Sequence, residues 1–320
     1  MSPSFLSQAA PSVAVEIGPA AVSGLALVRH GAPALFAGHA VEPLAPGVVS
    51  PSLTSANVAD PDALARAVAA VLDRLGGRPR FVSLVVPDNA AKVSIVRLDK
   101  VPSRADDLEQ LIRWHVRKAA PFRLEDAQVT WAPGAAFPDG GREYLVALAR
   151  RDIVREYEAA CEAAGTIAGI VDLATFGLVN AVLAAGLTEQ GDWLLVHVTP
   201  GYGSIGILRG RDLIFFRNRA EGTDETLADL VHQTAMYYED RLGGSAKFAR
   251  VLLAASGPCR DDAPSSLDVV RRQVEERLRV KTQTFDPSAV ARFTDRIAPD
   301  RDLLQAVTPL LGVLARGARE

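Results

Sequence analysis

Val13–Gly31 reads VAVEIGPAAVSGLALVRHG, and Leu194–Asp212 reads LLVHVTPGYGSIGILRGRD. Both begin as β-branched apolar runs, break at a proline-containing turn and resume as a second apolar run, the pattern of strand, tight turn and strand. Glu16 aligns with His197, Pro19 with Pro200, Ser23 with Ser204 and Leu27 with Leu208, each pair 181 positions apart. Each copy leads into a third apolar strand, ALFAG or LIFFR. Repetition of a whole strand–strand–strand–helix block implies a duplicated domain rather than two hairpins alike by chance.

Outward from the first copy, Asp60-Pro61 is a helix start, with Leu64, Val68, Val71, Leu72 and Leu75 on one face and Gly76-Gly77 as the stop. FVSLVVPD, from Phe81, is a fully apolar buried strand. A block over 81–165 has its own β-β-α-β-β-α rhythm. Its first helix has a capping-box-like start at Ser103 and Asp106 and stops before Pro121; its second runs from about Asp152 to Gly165. IAGIVDL is a strand followed by a helix to about Gly186, with Asp172 at the helix start. After the second copy come a helix from Thr223 to Leu242, the strand RVLLAAS, a helix marked by Leu267, Val270, Val274 and Leu278, the strand VKTQTFD, and a last helix from Asp302 to about Arg316. Strands alternating with helices make the chain α/β. The expected division is a first domain at 12–80, continued at 166–187 and 300–320, an inserted subdomain at 81–165, and a second domain at 188–299.

Composition narrows the function classes. The 320 residues carry 35 Lys+Arg against 38 Asp+Glu, a net charge of −3, which excludes a strongly basic nucleic-acid binder. At 6% aromatic residues the chain is no stacking platform for single strands. Cys161 and Cys259 are too few for a disulfide framework, and the five histidines lack zinc-site spacing. The lead MSPSFLSQAAPS has neither a basic region nor an apolar core, so it reads as a short disordered segment and not a signal peptide. No run is long and apolar enough to span a membrane. The expectation is a cytoplasmic protein.

Two such domains enclose a cleft, with small-residue turns facing each other where backbone N–H groups can cradle phosphate. This arrangement resembles the actin, Hsp70 and sugar-kinase superfamily, with its ribonuclease H-like fold. Within it, the chain resembles the PilM family of actin-like type IV pilus assembly proteins. Glu16-Ile17-Gly18-Pro19-Ala20-Ala21-Val22-Ser23 stands where that family opens with D-I-G-S-S-S-V-K. Ala120-Pro121-Phe122-Arg123-Leu124-Glu125-Asp126 is similar to its I-P-F-P-L-E-E, and VHQTAMYYEDRLGG to its Q-x-x-x-Y helix. TPLLGVLARG is similar to its closing helix, which packs on the first domain.

The resemblance implies an actin-like two-domain fold with an inserted subdomain. It also implies a scaffold that binds the N-terminal cytoplasmic segment of a PilN-like bitopic inner-membrane protein and couples it toward a motor ATPase. The partner groove would lie between the first domain and the subdomain, with candidates Val93, Ile95, Leu98, Leu111 and Trp114 on one strand and one helix. The nucleotide cleft would be formed by Glu16, Gly18, Ser23, His197, Thr199, Gly201, Gly203, Ser204, Ser256 and Gly257.

Its signatures are eroded. Pro19 has no N–H to donate, the family's Lys is Ser23, and an acidic Mg²⁺ partner is replaced by His197, a poor ligand for a hard cation. The expectation is therefore no cofactor, with ATP and Mg²⁺ weakly held at most, no hydrolysis, no catalytic residue and no metal.

Gly201-Tyr202-Gly203-Ser204-Ile205-Gly206 fits G-x-G-x-x-G, but a strand follows it instead of the helix a dinucleotide site needs, so it reads as a hairpin turn. Arg113, Arg117 and Lys118 beside Trp114 and His115 suit the negative end of a helix dipole. Glu275-Glu276-Arg277 and Arg271-Arg272 read as a solvated helix face with i,i+4 pairs. Tyr237 and Tyr238 read as packing residues. The alternatives are a phosphoryl-transfer enzyme on the same fold, which needs an intact phosphate clamp, the cytoplasmic part of a type II secretion protein like GspL, and a membrane-bound filament former like FtsA.

Overall fold

In the computed structural model, residues 11–29, 34–187, 191–222, 225–242, 248–257, 266–294 and 301–316 are described. The N-terminal lead before Pro11, His30, Cys259, the expected helix start at Thr223 and the tail beyond Arg316 lie outside them. The first copy folds as β1 (Val13–Ile17), β2 (Ala21–Arg29) and β3 (Ala34–Pro43), and α1 (Pro61–Arg74) crosses to β4 (Phe81–Val86). Next come β5 (Ala91–Leu98), α2 (Ala105–Val116), β6 (Ala127–Ala136), β7 (Arg142–Arg150), α3 (Arg151–Ala163), β8 (Ile167–Leu173) and α4 (Ala174–Ala184). The second copy is β9 (Asp192–Thr199), β10 (Tyr202–Arg209) and β11 (Asp212–Ala220), followed by α5 (Leu227–Arg241), β12 (Arg250–Ala255), α6 (Leu267–Leu278) and β13 (Gln283–Thr284). β14 (Ala291–Phe293) and α7 (Arg301–Arg316) follow.

The duplication is visible in the sheets. A six-stranded sheet has the order β14-β3-β2-β1-β4-β8, and a five-stranded sheet has β11-β10-β9-β12-β13. Each is an antiparallel meander whose first strand then pairs in parallel with the strand after the crossover helix, β1 with β4 and β9 with β12. The 181-residue offset holds at the level of register. Glu16 faces Ser23 across β1 and β2, and His197 faces Ser204 across β9 and β10.

Each sheet is covered on both faces. In the first lobe, Leu64, Val68 and Leu72 of α1 and Ile153 and Tyr157 of α3 fill one side, while Val307, Leu310 and Leu314 of α7 fill the other. In the second lobe, α5 and α6 cover one face, and Leu178 and Val182 of α4 meet Trp193, Leu195 and Leu252 on the other. Burying each such side chain contributes roughly 1.5–3 kcal/mol. Helices α4 and α7 cross between the lobes at Gly177 and Gly312, where the backbones touch.

The helix ends follow local chemistry only in part. Asp60 caps α1, its Oδ1 accepting from Ala63 N at 2.9 Å. The box expected at Ser103 and Asp106 does not form: Arg104 is the N-cap of α2, without a side-chain cap. A true capping box, Thr226 with Asp229, starts α5. Asp172 does not cap α4, whose N-cap is Leu173; its carboxylate accepts from the Leu173 amide.

The expected inserted block, 81–165, is too wide. β4 sits between β1 and β8 in the large sheet, as a run apolar on both faces should, and α3 packs in the first-lobe core. The small sheet is only β5-β7-β6. The chain also returns to the first lobe before residue 300, because β14 pairs with β3. Side chains alternate cleanly across β7: Tyr144, Val146 and Leu148 pack under α2, while Leu145, Ala147 and Ala149 face the other way.

Candidate functional site

The two repeated turns meet at the carboxyl ends of β1 and β9. A Cβ on Gly201 would stand 3.4 Å from Pro19 Cγ, and one on Gly257 would stand 3.3 Å from Pro200 Cδ. Both glycines have positive φ, +85° and +75°, which a side chain would strain. Their amides are not held ready for a phosphate. Gly18 N donates to Ala21 O at 2.9 Å, and Gly201 N donates to the Glu221 carboxylate at 2.9 Å. Each of these amides thus already has an acceptor within the protein.

Behind the turns lies a buried polar network centred on Asp88, in a 3-10 turn after β4. Asp88 is fully buried. Its Oδ1 accepts from Thr175 N at 3.0 Å, and its Oδ2 accepts from Ser204 Oγ at 2.5 Å and from Thr175 Oγ1. Its backbone carbonyl accepts from Asn218 Nδ2 at 2.8 Å. Thr175 Oγ1 also lies 2.7 Å from His197 Nδ1, and His197 Nε2 lies 2.9 Å from Ser256 Oγ. Because the Thr175 hydroxyl proton goes to Asp88, the bonding pattern assigns the ring proton to Nδ1, leaving Nε2 to accept from Ser256.

Every expected cleft residue is accounted for. Glu16, Ser23, Thr199, Ser204, His197 and Ser256 are buried, Thr199 Oγ1 donates to Tyr202 O at 3.0 Å, and Gly203 packs against Leu227. Gly18, Gly201 and Gly257 form turns. Ser204, His197 and Ser256 converge on the Asp88 network; Asp88 itself was missed. The signal that could have found it is positional: Glu16 pairs with Val85 and His197 with Ala254, so Pro87-Asp88 occupies in the first lobe the place of Ser256-Gly257 in the second.

The site does not fit ATP with Mg²⁺. His197 is neutral, burial having pulled it down to about 3. Glu16 is 7% exposed, and its Oε2 has no hydrogen-bond partner. Burial, with Asp88 adding to it, pushes the Glu16 carboxyl up to about 8, so it is mainly protonated at neutral pH and a poor ligand for a hard cation. Asp88 is raised by burial and opposed by its hydrogen bonds from Ser204 and Thr175, and its oxygens are already engaged.

These shifts set a pH profile. For Glu16 the folded value exceeds the unfolded 4.5. Its contribution to stability is full below about 4.5 and is lost as pH rises toward 8. His197 acts in the opposite sense: the unfolded chain protonates first, so stability is lost as pH falls from 6.5 toward 3. Glu16→Gln is expected to remove the alkaline loss. In urea titrations its advantage over wild type should widen from about pH 5 to pH 8, by on the order of 1 kcal/mol per pH unit. A constant difference across that range would contradict the buried, protonated carboxyl.

The candidate groove residues do not form one surface. Val93 is buried in the first-lobe core. Leu98 and Leu111 pack between the small sheet and α2, and Trp114 is 67% exposed on the outer side of that helix. Only Ile95 lines a cavity. That cavity, about 570 Å³, opens between the small sheet and α3, β8 and α4, with Trp131, Leu145, Ala147, Tyr157 and Phe176 among its walls. Arg211, Asp212 and Leu213, at the β10–β11 turn of the second lobe, complete it. β6 is an edge strand of the small sheet and contributes Thr130 to Gly134.

Elsewhere, G-x-G-x-x-G is the β9–β10 hairpin. Arg113 pairs with Glu109 at 2.8 Å. Arg277 reaches Asp229 on α5 at 2.5 Å rather than an i,i+4 partner, and Glu275 accepts from Thr282. Tyr238 stacks on Phe248 with centroids 4.6 Å apart, while Tyr237 is half exposed beside Phe215.

A sequence model of the family described as "Type IV pilus assembly protein PilM" matches residues 14–252. The chain belongs to the PilM family. Among solved structures, a PilM-PilN type IV pilus biogenesis complex is similar at a TM-score of 0.80 and 17% identity, covering 98% of this chain and 100% of that one. A Bacteroides thetaiotaomicron protein with an actin-like ATPase fold gives 0.48 at 8% identity, with 94% of each chain covered. The cytoplasmic domain of EpsL, an inner membrane component of the Vibrio cholerae type II secretion system, gives 0.47 at 14% identity, covering 96% of this chain and 93% of that one. No curated protein sequence matches. The PilM fold and the twin sheets make the α/β class actin-like, as the repeat implied. Among the described residues, no helix is long and apolar enough to cross a membrane.

Proposed function

We propose that this PilM-family chain is a non-catalytic scaffold of a type IV pilus machine, and that its cavity takes an extended N-terminal cytoplasmic segment of a PilN-like bitopic inner-membrane protein. The observation that carries the reading is the contrast between the two hollows. The crevice between the repeated turns is filled by the protein's own groups, whereas the cavity beside the small sheet is open and largely apolar. A volume of about 570 Å³ is within the range of ligand sites. Apolar side chains of an extended segment would fill it while its backbone pairs along the β6 edge, the mode of strand addition. The solved relative bears the name of a PilM-PilN complex, which supports the same partner class. Such a partner holds the scaffold at the inner membrane and links it toward the motor ATPase.

The test is a titration of the chain with a synthetic peptide of the N-terminal cytoplasmic segment of a PilN-like protein from the same organism. Binding is expected, and its absence would remove the reading. Calorimetry with Mg-ATP should give no micromolar dissociation constant; a clear one would restore the nucleotide site.

A further inference from the structure

The Asp88 network and the cavity are contiguous. Asp88 belongs to the first lobe, but its partners Ser204 and Asn218 sit opposite each other on β10 and β11 of the second lobe. Those strands end in the turn whose Arg211, Asp212 and Leu213 wall the cavity. Two short covalent steps and one ring contact join the two places. Ala90 and Ala91, just after Asp88, line the cavity. Thr175, bonded to Asp88, is followed by Phe176, another lining residue. Phe216, two residues before Asn218 on the same face of β11, stands 5.5 Å from the Phe176 ring.

We propose that Asp88 is a positioning residue that bolts the second lobe in place, so that its β10–β11 turn completes the peptide cavity. Lobe closure and peptide occupancy then form a single linked equilibrium. The proposal rests on the peptide-binding reading above. It assigns to side chains the bridging of the lobes, so the holding force is built into the chain. A group that favours the closed arrangement raises affinity for a ligand contacting both lobes, and by linkage the ligand must favour closure equally.

The test uses the full chain and the same synthetic N-terminal peptide of a PilN-like protein. Ser204→Ala with Asn218→Ala removes the second-lobe half of the bolt and leaves Asp88 bonded to Thr175. Peptide affinity is expected to fall about tenfold, the scale of a typical coupling, with the urea midpoint recorded alongside. Ser204→Ala alone gives a milder version should the double variant fold poorly. In wild type, saturating peptide is expected to slow hydrogen exchange in β10 and β11. Unchanged affinity in a folded variant overturns the bolt while leaving the peptide site standing, and so does unchanged exchange in wild type. Failure of wild type to bind at all removes both.

Discussion

Replacing Ala147 by Glu is expected to abolish capture of the partner segment while the fold survives. Ala147 lies mid-strand on β7, opposite Val93 of β5 and Thr130 of β6, and faces the open cavity. A carboxylate there stays in contact with water in the free protein, so the cost to folding is small. In the complex it must either be stripped of water against an apolar segment or occupy the volume the segment needs. Burying an unpaired charge costs several kcal/mol, and even a conservative 3 kcal/mol is about a hundredfold in affinity. Fluorescence anisotropy with a labelled peptide measures it. Trp114→Ser, on the far side of the small sheet beyond α2, is expected to bind as wild type. If Trp114→Ser loses the peptide and Ala147→Glu keeps it, the segment lies on the α2 face instead.

Gly312→Ala is expected to cost more stability than a methyl added at any other described glycine. A Cβ at Gly312 would overlap the Gly177 carbonyl oxygen and stand 2.6 Å from Ala181 N, all backbone atoms of α4. No rotamer change relieves a clash with backbone, so α4 and α7 must part, opening the seam where one sheet's covering helix crosses the other's. Overpacking typically costs 1–3 kcal/mol and more where the backbone must move. Alanine's helix propensity returns about 1. A net loss of roughly 2 kcal/mol is expected. Urea unfolding checks it, and a wild-type midpoint would show that the helices slide apart without penalty.

The difference between what the sequence showed and what it hid is one of range. Val13–Gly31 and its echo were legible because strand, turn and strand are local patterns, and a fixed offset of 181 preserves them. Asp88 was not, because its meaning lies in partners 87, 116 and 130 positions away. Nothing around Pro87-Asp88-Asn89 distinguishes a buried acid from an ordinary turn residue. The groove residues failed for a third reason. Both faces of β5 are apolar: Val93 and Ile95 look toward the first lobe, and Val96 and Leu98 toward α2. Alternation tells which residues share a face but not which face is left open. Phe81–Val86 carried the sign of its true place, since a strand apolar on both faces, with Ser83 its one polar residue, belongs in the middle of a parallel sheet. The rhythm of the block that follows drew it into the wrong unit.

The strand Ala291–Phe293 pairs with Ala34–Phe36, and the helix after it roofs the same sheet. In the order of synthesis, the lobe begun first is therefore finished last. While the chain emerges from the ribosome, the strands of the five-stranded lobe run from Asp192 to Thr284, and α4, which covers one of their faces, comes just before them, so this lobe can form before the other is complete. The earlier lobe keeps one apolar face bare until α7 has been made, the kind of transiently exposed surface that favours aggregation during synthesis.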